Sequence, residues 1–177
     1  DYDFPELKNF NSYPYLEPNE WRELNVVDLT LKNRIEKKNN IDSSIAKKLF
    51  NEIKTTKYKD FKCIYTDGSV SKESSSCAFY EEETNGTYCN QKIKFHKKKS
   101  IFVAESFAVL KALIHERECH PEIKKYCILM DSLSVIQALK NKTNNYKTHY
   151  VIGEIRNEIQ RLFEQGKTIK FMWIPSH

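Results

Sequence analysis

The stretch Phe61-Lys62-Cys63-Ile64-Tyr65-Thr66, cut off by Asp67-Gly68-Ser69, decides the fold. It is a short β-prone run that ends on an acid with a glycine directly behind it. Downstream, Cys77–Glu82 and Thr87–Phe95 read as two more strands, and the link between them contains the turn pair Asn85-Gly86. Residues 61–95 therefore predict an antiparallel meander. The period then changes. Across 102–118, Val103, Phe107, Leu110 and Ile114 form one helical stripe. Lys124–Met130 is a continuous apolar strand ending at Asp131, and Ser132–Lys140 is a short helix with Val135, Ile136 and Leu139 inward. Ile152, Ile155, Ile159, Leu162 and Phe163 mark a further helix stopped by Gly166. Thr168–Ile174 is a last strand, closed by Pro175.

The order β-β-β-α-β-α-α-β predicts an α/β domain over 60–177. Its expected sheet is five-stranded and mixed, three antiparallel strands followed by two parallel ones, with helices on the faces. Right-handed crossovers should set the later strands parallel to the first. Upstream, Pro5, Pro14 and Pro18 punctuate a stretch rich in Tyr, Phe and Trp. It reads as an extended arm whose aromatics pack on a neighbouring surface. A short strand is possible at Asn25–Leu31. Ile41, Ile45, Leu49 and Ile53 recur every four residues behind Asp42 and Ser43, predicting a helix over 43–54. Residues 1–59 are thus expected to be an arm plus one helix, preceding the main domain.

Composition narrows the class. Of the 177 residues, 40% are hydrophobic and 30% charged, a globular balance. No apolar run approaches a bilayer-spanning length, and no basic-then-apolar leader opens the chain. The five cysteines are scattered and never paired as C-x-x-C, so they read as buried thiols of an intracellular protein, nuclear or cytoplasmic and not secreted. His115, Cys119 and His120 are close in sequence, but their spacing does not put them on one helical face, so no zinc site is expected there. Residues 1–60 carry 11 basic and 11 acidic side chains, and residues 61–177 carry 18 and 13. The whole net charge of +5 therefore falls in the second part, which suits a polyanionic partner.

Three acids fall at element ends that such a fold would bring together. Asp67 closes the first strand, Glu105 lies in the first turn of the long helix, and Asp131 closes the fourth strand. Each has an ordinary reading alone: a turn, a helix-dipole partner, a helix cap. Together they would repel one another, and divalent cations resolve that conflict. Mg²⁺ prefers such hard oxygen ligands. Two ions roughly 3.5–4 Å apart can activate a water and stabilise the leaving oxygen of a phosphodiester.

Tyr65-Thr66-Asp67-Gly68-Ser69, Ala104-Glu105-Ser106 with the helix Phe107–Leu113, Met130-Asp131-Ser132, and Trp173-Ile174-Pro175-Ser176-His177 resemble the successive motifs of the type 1 ribonuclease H family. The wording is most similar to the domain at the C-terminal end of reverse transcriptase polyproteins from non-LTR retrotransposons. The resemblance implies an endonuclease that hydrolyses the RNA strand of RNA/DNA hybrids, with two Mg²⁺ ions that Mn²⁺ can replace. It implies Asp67, Glu105 and Asp131 as metal ligands and His177 as a mobile-loop histidine in proton transfer or product release. A preceding reverse transcriptase domain would be a partner within the parent polyprotein, with residues 1–59 as the linker. The family carries a fourth metal-binding Asp on a final helix beyond this loop, so a chain ending at His177 is expected to lack that helix.

The substrate would be read through its backbone and 2′-OH groups across a shallow minor groove. Expected nucleic-acid contacts are Gly68, Ser69 and Ser132 beside the acids, Lys97, Lys98 and Lys99 before the long helix, and Asn144 and Asn145 with Lys140, Lys142 and Lys147 near the later helices. Trp173 is expected to pack rather than to stack on a base. The competing reading is a catalytically impaired remnant that keeps the ribonuclease H fold and at most binds nucleic acid. An aspartyl-phosphate enzyme would want a second acid two residues after Asp67, where Ser69 stands, and a dinucleotide-binding domain would need a G-x-G-x-x-G that is absent.

Overall fold

The computed structural model describes residues 25–36, 42–82, 88–141 and 149–176. Its strands are β1 (Val27–Asp28), β2 (Lys62–Val70), β3 (Ser75–Glu82), β4 (Tyr88–Lys94), β5 (Lys125–Met130) and β6 (Thr168–Trp173). Its helices are α1 (Thr30–Glu36), α2 (Ser43–Thr56), α3 (Ile101–Cys119), α4 (Leu133–Lys140) and α5 (Tyr150–Glu164). The Asn85-Gly86 turn, the aromatic arm before residue 25, Lys142, Asn144, Asn145, Lys147 and His177 lie outside the described residues.

One six-stranded sheet runs in the order β1-β6-β5-β2-β3-β4. This corrects the five-stranded sheet expected from the sequence. The additional strand is β1, which pairs parallel with β6 through Val27↔Phe171 and Asp28↔Met172. Phe171 N–H donates to the Val26 carbonyl at 2.8 Å, and Lys170 Nζ donates to the Asn25 carbonyl at 2.6 Å. The sequence offers a short strand here but gives no sign that it joins the sheet, because its partner lies far along the chain. The possible strand at Asn25–Leu31 shrinks to that pair because Asp28 turns the chain into α1, its carboxylate accepting from Thr30 N–H at 2.8 Å.

β2 pairs antiparallel with β3, β3 antiparallel with β4, and β5 and β6 follow parallel to β2. β2 does not stop at Asp67. It continues through Gly68 to Val70, and the chain reverses at Ser71–Ser74, where Ser71 N–H donates to the Ser74 carbonyl at 2.8 Å.

The sheet is covered on both faces, which explains the unbroken apolar run of β5. Ile128 and Met130 face a core shared with Phe107, Leu113, Ile155 and Ile159 of α3 and α5. Cys127 and Leu129 face the other side, where Leu31 of α1, Ile53 of α2 and Tyr58 close a smaller core. α3 is buried nearly all round rather than along one stripe, because it lies on β2 and β3 with α5 against its back. Arg156 on α5 donates to the carbonyls of Ala138 (3.0 Å) and Asn141 (2.6 Å), satisfying the end of α4. The five cysteines are free thiols. Among the described residues, no helix is long and apolar enough to cross a membrane.

Candidate metal and nucleic-acid site

Parallel pairing sets the first two acids level. Cys63 stands opposite Cys127 and Tyr65 opposite Leu129, and the same offset brings Asp67 alongside Asp131 where β5 ends. Thr66 Oγ1 donates to the Leu129 carbonyl at 3.3 Å between the two strands. Asp131 is fixed from its other side, since Trp173 Nε1–H donates to its carbonyl at 2.9 Å and Ile174 N–H to that of Met130 at 2.9 Å. Trp173 thus packs and holds backbone, as the sequence leads one to expect.

The third acid comes from α3. That helix begins at Ile101, with Ser100 Oγ accepting from Val103 N–H at 3.3 Å, so Glu105 sits in the second turn rather than the first. It reaches the strand edge because position 68 is glycine. A Cβ built on Gly68 would stand 2.4 Å from the backbone nitrogen of Glu105 and 2.8 Å from the carbonyl carbon of Ala104. The two backbones therefore touch.

Oxygens of Asp67, Glu105 and Asp131 lie within 4.8 Å of one another. Asp67 is exposed, Asp131 half-buried and Glu105 only 7% exposed. Burial, then the charges of Asp131 and Asp67, push the Glu105 carboxyl up to about 7. Its buried Oε2 has no hydrogen-bond partner among the described residues. Three converging carboxylates, one with a buried oxygen left over, fit a hard divalent cation: the ion would supply both the missing partner and the missing positive charge.

A cleft of about 350 Å³ opens beside Asp67 and Asp131 and is bordered by Tyr65, Tyr80, Asn90 and Lys92. Tyr80 is opposite Asn90 and Ala78 opposite Lys92, so these side chains project from one face of the meander. Tyr80, Asn90 and Lys92 were not among the residues expected at the site. Their alternation along the two strands was the available signal.

The remaining expected contacts are dispersed. Gly68 and Ser69 continue β2 past Asp67, and Ser132 is the N-cap of α4, its Oγ 3.1 Å from that of Ser134. Lys97 and Lys98 are exposed before α3, but Lys98 Nζ donates to the Lys72 carbonyl at 3.0 Å. Lys99 is half-buried, its N–H donating to Ser75 Oγ at 2.8 Å. Lys140 is exposed at the end of α4.

A second group was missed outright. Glu81, His115, Glu116 and His120 also bring donor atoms within 4.8 Å of one another. The sequence spacing argued against a ligand set because His120 does not share a helical face with His115. In the structure His120 is the C-cap of α3, with φ −128° and ψ 60°, and the bend returns its ring to within 5.6 Å of that of His115.

The RNase H family model matches residues 59–177. No curated protein matches the chain in sequence. Among solved structures, LC11-RNase H1, isolated from compost by a metagenomic approach and crystallised in complex with an RNA/DNA hybrid, is 17% identical. That alignment has a TM-score of 0.50 and covers 64% of this chain and 84% of that one. The N-terminal RNase H domain of Rv2228c from Mycobacterium tuberculosis is 20% identical, with a TM-score of 0.50 over 64% of this chain and 86% of that one. At such identities the solved structures speak for the fold alone, while the family model spans most of the chain, the three acids included: this chain belongs to the RNase H family.

Proposed function

We propose that this chain hydrolyses the RNA strand of RNA/DNA hybrids, using divalent cations held by Asp67, Glu105 and Asp131. The observation that carries the reading is the meeting of these three carboxylates at one strand edge, with a buried Glu105 oxygen left unpartnered. When bound, two Mg²⁺ ions, or Mn²⁺ in their place, supply the positive charge that activates a water and stabilises the leaving oxygen of the phosphodiester. The residues of the chain do the positioning. Asp67 and Asp131 present ligands from neighbouring strands, Glu105 is held from beneath by the Gly68 contact, and Trp173 fixes the backbone of Asp131. By its resemblance to the family, His177 moves a proton or assists release of the product.

The hybrid would lie over the open face of the meander. We assign to it Gly68, Ser69 and Ser132 beside the acids, Lys97, Lys98 and Lys99 before α3, and Asn144 and Asn145 after α4. Tyr80, Asn90 and Lys92 join them from the cleft. Polar and aromatic side chains of this kind suit a minor groove read through 2′-OH groups and sugar–phosphate backbone. The LC11 structure, of the same fold, holds an RNA/DNA hybrid. We further assign the domain to a retroelement reverse transcriptase, preceded by the polymerase region with residues 1–59 as the linker. The wording of the motifs from Tyr65 to Ser69 and from Trp173 to His177 supports this assignment.

The test is a cleavage assay with labelled RNA/DNA hybrid, duplex RNA and duplex DNA, with Mg²⁺, with Mn²⁺ and with chelator. Cleavage confined to the RNA of the hybrid and abolished by chelator is expected. Hybrid binding without cleavage under any metal would replace this reading with the impaired remnant.

A further inference from the structure

The second group of donor atoms lies at the other end of α3 from the acids just described. Glu116 is eleven residues beyond Glu105 on this helix, which places it about 16 Å further along the axis. Glu81 reaches the group from β3, His115 and Glu116 from the last turns of α3, and His120 from its cap.

Glu81 and Glu116 are both fully buried. Glu116 Oε2 has no hydrogen-bond partner among the described residues. Lys62 Nζ stands 2.8 Å from Glu81 Oε2 and 3.5 Å from Glu116 Oε1. One ammonium cannot balance both carboxyls if both ionise out of water, so either one of them keeps a proton or a second cation joins them. The C-terminal end of α3 adds its own negative partial charge.

The distances suit a metal. His115 Nε2 and His120 Nε2 stand 3.3 and 3.2 Å from Glu81 Oε1. Tetrahedral zinc with bonds of about 2.0–2.1 Å sets adjacent donors about 3.3 Å apart. The outer nitrogen of His115 is provided for as well. His120 Nδ1 is 3.6 Å from Glu122 Oε1, and His115 Nδ1 is 3.3 Å from the Gln91 side-chain amide, whose oxygen and nitrogen are interchangeable by a flip. His115 can thus give its Nδ1 proton to the Gln91 amide and turn a bare Nε2 inward, the arrangement that orients metal-ligating histidines, while Glu122 lies near Nδ1 of His120 without bonding it. Two imidazoles with two carboxylates select a borderline-soft ion over Mg²⁺. Lys62, His120 and Glu122 border a groove of about 600 Å³ open to solvent, which provides an entry path.

We propose that Glu81, His115, Glu116 and His120 form a second, structural metal site that takes zinc and ties β3 to the C-terminal end of α3. The alternative occupant is no metal at all, with imidazole N–H groups donating to Glu81 and Lys62 as the sole counter-ion.

The test uses the full chain carrying Asp67→Asn and Asp131→Asn, so that the first site is crippled and cleavage plays no part in the readout. After loading with Zn²⁺ and gel filtration in excess Mg²⁺, retained metal is measured by elemental analysis. About one zinc per chain, a higher Tm than the chelated protein, and at least tenfold weaker retention in His115→Gln or His120→Gln are expected. Should those variants fail to fold, Co²⁺ in the parent chain should give the intense visible bands of a tetrahedral site. No retained zinc, equal retention in folded His120→Gln, or octahedral Co²⁺ would overturn the proposal. Because hybrid cleavage is not measured, its outcome is separate from that of the nuclease reading.

Discussion

Gly68 on β2 touches the backbone of Glu105 on α3, so that a single added methyl would lie 2.4 Å from the glutamate nitrogen. The obstacle is backbone on both sides and cannot rotate away. Gly68→Ala should therefore push α3 off the sheet at its first turns, costing roughly 1–3 kcal/mol. A lowered urea midpoint with unchanged slope, together with weakened cleavage, is the expected result. An unaltered midpoint would show that the helix can yield there.

Asp67 is exposed and makes no structural contribution comparable to that of Gly68. Asp67→Asn should leave Tm nearly unchanged yet reduce Mg²⁺-dependent hybrid cleavage by more than roughly a hundredfold, since losing only an outer partner of a ligand costs 10–100-fold. Single-turnover rates on a labelled hybrid measure this. Unchanged rates would remove Asp67 from the metal set.

Glu105 should make the metal-free protein sensitive to pH. Its carboxyl is raised from 4.5 to about 7, so the folded chain holds that proton more tightly than the unfolded one. This contribution is complete below about 4.5 and is lost as pH rises through about 7. Thermal melts in chelator should show Glu105→Gln gaining stability over the parent at pH 8 but not at pH 4. Added Mg²⁺ should stabilise the parent and not the variant.

Asp28 behaves in the opposite sense. Burial would raise its carboxyl, but Lys57 at 2.8 Å, Thr30 and Tyr58 outweigh burial and bring it down to about 2. The stability it confers is present above about 4 and lost as pH falls towards about 2. Asp28→Asn should cost about 2 kcal/mol at neutral pH. Chemical denaturation at pH 7 and at pH 2.5 tests this, with the difference between the two proteins shrinking at the lower value.

Much of the sheet was legible because its strands and helices differ in period, and Asp67 and Asp131 stood out as candidates because each follows an apolar run in the sequence. Three features were not. β1 was readable as a short strand, but its place in the sheet was not, because it is held by residues near the far end of the chain. Gly68 was expected to contact nucleic acid just past the end of a strand, whereas the strand runs on through it and its missing side chain makes room for α3. His120 looked unrelated to His115 because helical spacing assumes that the helix continues, and α3 ends between them. In each case local periodicity was silent about what the segment meets.

The pairing of Val27–Asp28 with Phe171–Met172 also bears on where the molecule can be divided. The family match begins at residue 59, yet the outer rim of β6 is occupied by residues that precede it. Trimmed to the matched segment, the polypeptide would display unpaired amides and carbonyls along β6 and an uncovered apolar patch around Leu129 and Met172. Such a fragment should self-associate in solution, and a preparation that begins before Asn25 should not.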